Sequence, residues 1–258
     1  MNIKIIDINL NNISLYPPTC FQNPANEGYK IKLEWLKKRF TEGLKIKLLY
    51  VENDKKCHGF IEYIPGEFAW RAVDAKGYLF IHCIWIYPNN IKHKGFGSLL
   101  IDECIKDAKQ QNKNGVAVIA GDVTFMAKEN LFIKNKFNIA DESGPFRLLV
   151  KSLKKGPLPK LRDTEKQLKK YSGLNIVYSN QCPWVPKFIS DINEIVKKKN
   201  LDLKITELKT SKQAQNAPTI YSVFNLVYNR KILADHYIST TRFQNIINKE
   251  LKVKSLIF

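Results

Sequence analysis

The sequence predicts a mixed α/β (α+β) protein built as two units, and three observations carry that prediction. Apolar runs of strand length alternate with amphipathic stretches of helix length from the start of the chain to about residue 150. A basic, glycine-containing loop joins the strongest apolar run to a helical stretch between residues 78 and 101. Composition then shifts: the stretch 154–173 holds two prolines and two glycines, with its large apolar residues reduced to three leucines and a tyrosine. It divides a first unit (1–153) from a second (174–258) as an inter-domain linker (154–173).

The elements follow in order. The opening stretch, M-N-I-K-I-I-D-I-N-L, reads as a first strand. Residues 26–44 read as a helix, with Tyr29, Ile31, Leu33, Leu36 and Phe40 among intervening charges. Residues 45–51 and 57–64 alternate as two strands around a turn at Asn53-Asp54. Residues 68–73 continue as an irregular strand or loop. Residues 78–86 form the central strand, 97–110 a helix, 116–120 a short buried strand, 125–136 a helix and 146–150 a strand.

The central segment carries most of the chemistry. The apolar run Tyr78–Ile86 ends near Pro88, and Lys92-His93-Lys94-Gly95-Phe96-Gly97-Ser98 then opens a helix. Backbone N–H groups at a helix start, unobstructed by side chains, form a cradle for a pyrophosphate. The loop is not a dinucleotide fingerprint, which needs G-x-G-x-x-G, and it is not a Walker loop, which needs G-K-[ST]. The arrangement of Lys92, Gly95 and Gly97 after a strand ending Ile-Tyr-Pro resembles the acyl-CoA loop of the GNAT superfamily of N-acetyltransferases. Lys92 stands where that family has Arg or Gln. The element order matches the family's over roughly residues 1–152.

That resemblance implies acetyl-CoA as co-substrate, with no metal, and acetyl transfer to the amine of a small-molecule acceptor. The pyrophosphate falls to the amides of Lys92 through Ser98, and the pantetheine arm to the backbone of Ile84 and Ile86. Asn130 is a further candidate cofactor contact. The family's usual tyrosine, which protonates the leaving thiolate, is replaced by Phe132, and Lys136 takes a glycine place. Water, Cys83 or His82 then serves as acid, or the thiolate leaves unassisted.

Acetyl transfer also needs a neutral amine. Glu62, on the strand beside the central one, is one candidate base, through a half-buried carboxylate with a raised pKa. His82 is the other, by residue type. Strand alternation puts His82, Ile84 and Ile86 on one face and Cys83 and Trp85 on the other. If the isoleucine face is core, Cys83 and Trp85 line the acceptor side; if the faces are reversed, His82 gains. Trp70 and Arg71 are residue types that stack on ligands and pair with carboxylates, so they are assigned to seating an acceptor with an anionic group.

The second unit reads as strand 174–178, a helix to about 199, strand 203–208, two strands flanking Asn229-Arg230, and helix 240–251. This order resembles a thioredoxin-like domain. Cys182-Pro183-Trp184-Val185 sits where that fold carries Cys-x-x-Cys, and Ala217-Pro218 where it carries a proline facing the cysteine. Val185 replaces the second cysteine, so no dithiol cycle closes within the unit. Cys182 remains as a lone thiol near a helix start, a position that lowers thiol pKa. A GNAT domain joined to such a module resembles the YoaP-type proteins of bacteria.

Bulk properties bound the alternatives. Five widely spaced cysteines, with no C-x-x-C, argue against a disulfide framework or zinc site and for a reducing, cytoplasmic compartment. No apolar run reaches 18 residues, and the first residues lack a signal peptide's apolar centre, so no membrane partner is expected. Net charge is +18, with +5 on residues 1–150 and +13 on the rest. The lysines lie in small scattered groups without interleaved aromatics, which reads as solvated faces rather than a nucleic-acid surface. Two other readings stand beside acetyl transfer. One is a catalytically weak CoA-binding interaction protein; the other is a monothiol redox module acting through Cys182. The second unit is expected to shape the acceptor pocket, form a homodimer contact, or present Cys182 to substrate.

Overall fold

The computed structural model describes residues 3–20, 23–51, 56–87 and 94–251. The first unit contains β1 (Ile3–Ile8), α1 (Glu27–Phe40), β2 (Lys45–Val51), β3 (Cys57–Pro65), β4 (Val73–Asp74), β5 (Tyr78–Ile86) and α2 (Phe96–Gln110). It continues with β6 (Gly115–Gly121), α3 (Glu129–Lys134), β7 (Asn138–Ser143) and β8 (Phe146–Ser152). Seven of these strands form one mixed sheet in the order β1-β2-β3-β5-β6-β8-β7, in which only β5 and β6 run parallel.

The sheet buries both faces, so its central strands are apolar on each side. Leu49, Ile61, Leu79, Ile81 and Val118 meet Leu100, Ile101 and Cys104 of α2 on one face. Leu48, Phe60 and Ile64 meet Trp35 and Leu36 of α1 on the other. The buried stripe of α1 is Gly28, Tyr29, Lys32, Trp35, Leu36 and Arg39, which runs through two cations. The two long helices of this unit start differently. Asn26 caps α1 by accepting from the Gly28 N–H, whereas α2 starts at Gly95 with no side-chain cap and a left-handed φ of 85°. That φ is a glycine's territory.

The helix expected over residues 125–136 shrinks to α3. Phe125 and Lys136, with φ of 65° and 63°, interrupt the helical backbone at its two ends. Lys136 occupies the place where the GNAT pattern has glycine, and it takes the conformation a glycine there would allow. Strand β7 was not anticipated; it is a largely exposed edge strand without alternation.

The connecting segment holds β9 (Lys160–Leu161) and α4 (Thr164–Leu168). It is laid against the first unit rather than hanging free. Strand β9 pairs with β4, the Arg162 N–H donates to the Ala72 carbonyl, and the Leu161 N–H donates to Asp141.

The second unit contains β10 (Leu174–Tyr178), α5 (Trp184–Lys198), β11 (Leu203–Glu207), α6 (Ser211–Gln215), β12 (Phe224–Tyr228), β13 (Lys231–Ala234) and α7 (Thr240–Glu250). Its sheet runs β11-β10-β12-β13, with β10 parallel to β11 and antiparallel to β12. Val177, Leu208, Ala214 and Ala217 share a core cluster with Trp35 and Trp70 of the first unit. The second unit therefore covers the sheet face opposite α2. Gly28 makes the closest approach possible, because a Cβ there would overlap the Pro183 carbonyl oxygen. Among the described residues, no helix is long and apolar enough to cross a membrane.

Candidate active site

Strands β5 and β6 pair only from Tyr78 to Ile81 and from Gly115 to Val118. Beyond Ile81, β5 stays with β3 while β6 stays with β8, so the two part company. The edge of β5 that faced β6 loses its strand partner there, and its amides and carbonyls are left for an extended ligand. A cavity of about 1120 Å³ passes through this splay. On the α2 face it is lined by Gly95, Phe96, Gly97 and Ser98, with Asn130 and Leu131 across from them. The first-turn N–H groups of α2 have no intrahelical acceptor and no capping side chain, so this end is built for an anion.

On the opposite face the cavity meets a cluster of buried charges. Glu62 is only 1% exposed and accepts from Lys32 Nζ at 2.6 Å. Its other oxygen, Oε1, accepts from Gln181 Nε2 at 3.0 Å and stands 3.4 Å from His82 Nδ1, beyond an ordinary hydrogen bond. Arg71 donates to the carbonyls of Trp70 (2.6 Å) and His82 (3.0 Å) and to Gln181 Oε1. Its guanidinium lies 4.4 Å from the Tyr221 ring centroid. Gln181 thus reaches from the second unit to join Arg71 to Glu62.

The second unit roofs this end with Gln181, Cys182, Trp184, Tyr221, Val223 and Tyr237. Phe125 of the first unit packs edge-on against Tyr237, with ring centroids 5.8 Å apart, and closes the wall between the units.

Burial alone would raise the Glu62 pKa, but Lys32 and His82 outweigh it and pull the carboxyl down to about 2. The expectation of a raised carboxylate pKa is therefore corrected: the pairing lysine lies on α1, 30 residues away in sequence. Burial, only partly offset by Glu62, pushes His82 down to about 4, so its imidazole is neutral near pH 7. Nε2 accepts the Trp70 N–H at 2.9 Å, which assigns the ring proton to Nδ1, facing Glu62.

The facing of His82 also differs from simple alternation. The β3–β5 register pairs Glu62 with Cys83 but Tyr63 with Ile81, so His82 is an extra, bulged residue. It turns toward Trp35, Trp70 and Glu62, on the side of Cys83, while Ile84 and Ile86 pack toward the α2 core. Cys83 and Trp85 both line the cavity. Burial holds the Cys83 thiol far above the ordinary thiol range, which makes it a poor proton donor to a leaving thiolate. Phe132 is fully buried against Phe137 and does not reach the cavity.

Four further assignments are corrected. Trp70 does not line the cavity; it is core, edge-on to Trp35 with Arg39 over its ring. Pro218 is buried but absent from the lining, and Tyr221 and Val223 hold the wall near Cys182. Cys182 lines the cavity, yet burial raises its pKa to about 11 against the opposing pull of backbone N–H groups at the start of α5, so its helix-start position does not make a thiolate. Lys94 is exposed and does not line the cavity, and Lys92 and His93 lie outside the described residues. Among the described residues no His, Cys, Asp and Glu side chains group as metal ligands.

Lys32, Gln181 and Tyr221 escaped the sequence reading. Lys32 left a faint signal: it falls three residues after Tyr29 and four before Leu36, on the stripe that packs inward. Gln181 and Tyr221 left none, because only the docking of the second unit brings them to Glu62 and Arg71.

A seven-stranded sheet splayed beside an uncapped, glycine-led helix is the mixed α/β architecture of acyl-CoA acyltransferases. Residues 12–128 match the model of the Acetyltransferase (GNAT) family, so the first unit carries a GNAT acetyltransferase domain. The chain is 28% identical over 234 residues to the uncharacterized N-acetyltransferase YoaP of Bacillus subtilis (strain 168), spanning 88% of this chain and 89% of that one. Among solved structures, Campylobacter jejuni N-acetyltransferase PseH in complex with acetyl coenzyme A is 21% identical, covering 59% of this chain and 99% of its own, with a TM-score of 0.41. The Escherichia coli ribosomal-protein-S18-alanine N-acetyltransferase is 12% identical, covering 60% and 97%, with a TM-score of 0.39.

Proposed function

We propose that this protein transfers an acetyl group from acetyl-CoA to the amine of a small-molecule acceptor, and that the second unit completes the acceptor pocket. One observation carries the reading: a single cavity threads the β5–β6 splay from the amides of α2 to the buried Lys32–Glu62–Gln181–Arg71 cluster. The GNAT match over residues 12–128 and the N-acetyltransferase name of the YoaP relative support it. A small acceptor fits because residues of both units wall the pocket.

Bound acetyl-CoA would supply an activated acetyl thioester. The amides of Phe96, Gly97 and Ser98 would hold its pyrophosphate, and the free edge of β5 at Ile84–Ile86 would align its arm. Glu62, at about 2, is a fixed anion rather than a proton acceptor. It anchors Lys32 and Gln181 and faces the neutral His82. Lys32 and Glu62 cancel in charge, so Arg71 leaves this end net cationic. Burial in this pocket disfavours an ammonium, and the acceptor sits there as the neutral amine, its proton already given to solvent.

We read the second unit as thioredoxin-like, supported by its strand order, its parallel β10–β11 pair and a helix opening at Cys182-Pro183. The raised Cys182 pKa favours a wall residue over a redox one.

The test is thermal unfolding with and without acetyl-CoA, alongside Gly95→Asp. A Cβ at Gly95 meets nothing within 4 Å, and aspartate tolerates the left-handed backbone better than most residues, so the variant keeps its fold and adds a repelling charge. The wild type gains stability as the ligand exceeds its Kd, and the variant does not. No shift in the wild type rejects the reading.

A further inference from the structure

The buried guanidinium of Arg71 has no counter-charge directly against it among the described residues. It is 2% exposed and lines the cavity, yet its three hydrogen-bond acceptors are two backbone carbonyls and an amide oxygen. Among the described residues no carboxylate pairs with it directly. Gln181 stands between it and Glu62, whose charge is already taken by Lys32. Tyr221 offers only its ring face. A buried cation left this way is costly unless something supplies the anion. A guanidinium has five N–H donors, and three are used, which leaves two for an incoming group. CoA phosphates belong to the amides of α2, across the sheet from Arg71. The cavity that Arg71 lines is also walled by Phe60, Trp85, Trp184, Tyr221 and Tyr237, of which Tyr221 lies against the guanidinium.

We infer that the acceptor is an amine that also carries a carboxylate, on an apolar or aromatic body, with the carboxylate paired to Arg71. This rests on the acetyl-transfer reading above and names its substrate class. The carboxylate restores charge balance and accepts the two unused N–H groups, and the ring or alkyl body lies against the aromatic wall. The amine is then fixed on the splay side, toward Cys83, where the thioester would arrive. In the reaction the amine nitrogen bonds to the acetyl carbon, the carbon–sulfur bond breaks, and the amine's remaining proton balances the thiol of free CoA.

The experiment measures thiol release from acetyl-CoA with matched pairs of acceptors: phenylalanine against phenethylamine, tyrosine against tyramine, tryptophan against tryptamine and leucine against isoamylamine. Each pair shares a side chain and differs by the carboxylate. In the wild type, kcat/KM for the better amino acids exceeds that of the decarboxylated partner by about ten- to a hundred-fold, the range expected of a charge-assisted pair. In Arg71→Gln that ratio falls toward one, while the acetyl-CoA-induced thermal shift persists and reports a folded cofactor end. Should Arg71→Gln fail to fold, the wild-type ratios still decide. Equal or better turnover of the decarboxylated amines overturns the inference alone. An acetyl-CoA shift with no release from any acceptor also overturns it. Absence of the shift itself overturns the acetyl-transfer reading beneath it.

Discussion

The two ends of the cavity are built from opposite materials. The α2 end consists of backbone amides from one continuous stretch, held by a glycine turn and open to solvent. The far end consists of side chains from α1, β3, the segment before β4, β5 and the second unit, nearly all buried and bonded to one another. A backbone site tolerates most side-chain changes, because its donors survive them. A buried charge network does not, because each member satisfies another. Function at the first end should be robust, and at the second end brittle.

Three substitutions or conditions test that contrast, beginning with the strongest. Glu62→Gln removes the anion and leaves Lys32 buried without one. Breaking such a pair costs about 3–5 kcal/mol, readable by urea unfolding, and acetyl transfer is lost with it. A loss below about 1 kcal/mol would mean that the far end is as forgiving as the α2 end.

Acid is the second probe. The folded-state pKa of His82 lies below its ordinary value, from 6.5 to about 4, so the unfolded chain takes up the proton first. Stability is full above about 6.5, falls as pH drops toward 4, and loses on the order of 3 kcal/mol across that window. Glu62 adds its own loss only below the ordinary carboxylate range, as pH approaches about 2. Unfolding midpoints measured from pH 7 to pH 4 should show the decline, and His82→Gln should flatten it. A wild-type profile that is already flat would remove His82 from the network.

The gentlest probe is Gly28→Ala. The added methyl overlaps the Pro183 carbonyl and pushes the second unit outward. Overpacking of this kind costs about 1–3 kcal/mol. Its signature is a raised KM for the acceptor with an unchanged thermal response to acetyl-CoA, which would separate the two ends within one variant.

The same contrast explains what could be read from the amino-acid order. The strand–loop–helix from Tyr78 to Gln110 is local: an apolar run, a glycine turn and a 3.6-residue period lie within 33 consecutive positions. The far end is not local. The bulge that turns His82 belongs to the register between β3 and β5, and no pattern within β5 announces it. Lys32 looks like a surface lysine until the sheet chooses which face of α1 to bury. Trp70 carries the residue type of a recognition site, yet Trp35 and Arg39 claim its ring. Edge strand β7, polar and exposed, has no alternation for a pattern to find.

Gln181 carries a consequence for how the molecule comes into being. Its amide grips Arg71 and Glu62, which precede it by 110 and 119 positions. A ribosome releasing this chain completes the α2 end early and the acceptor end only after the last third has emerged and docked. An unfinished chain could therefore hold a thioester before it could orient an amine. Nor can the last third be exchanged as a cassette: a replacement has to present an amide at one position and an aromatic face at another, or it leaves two buried ions of the first unit half-satisfied. The two halves are heritable only as a pair.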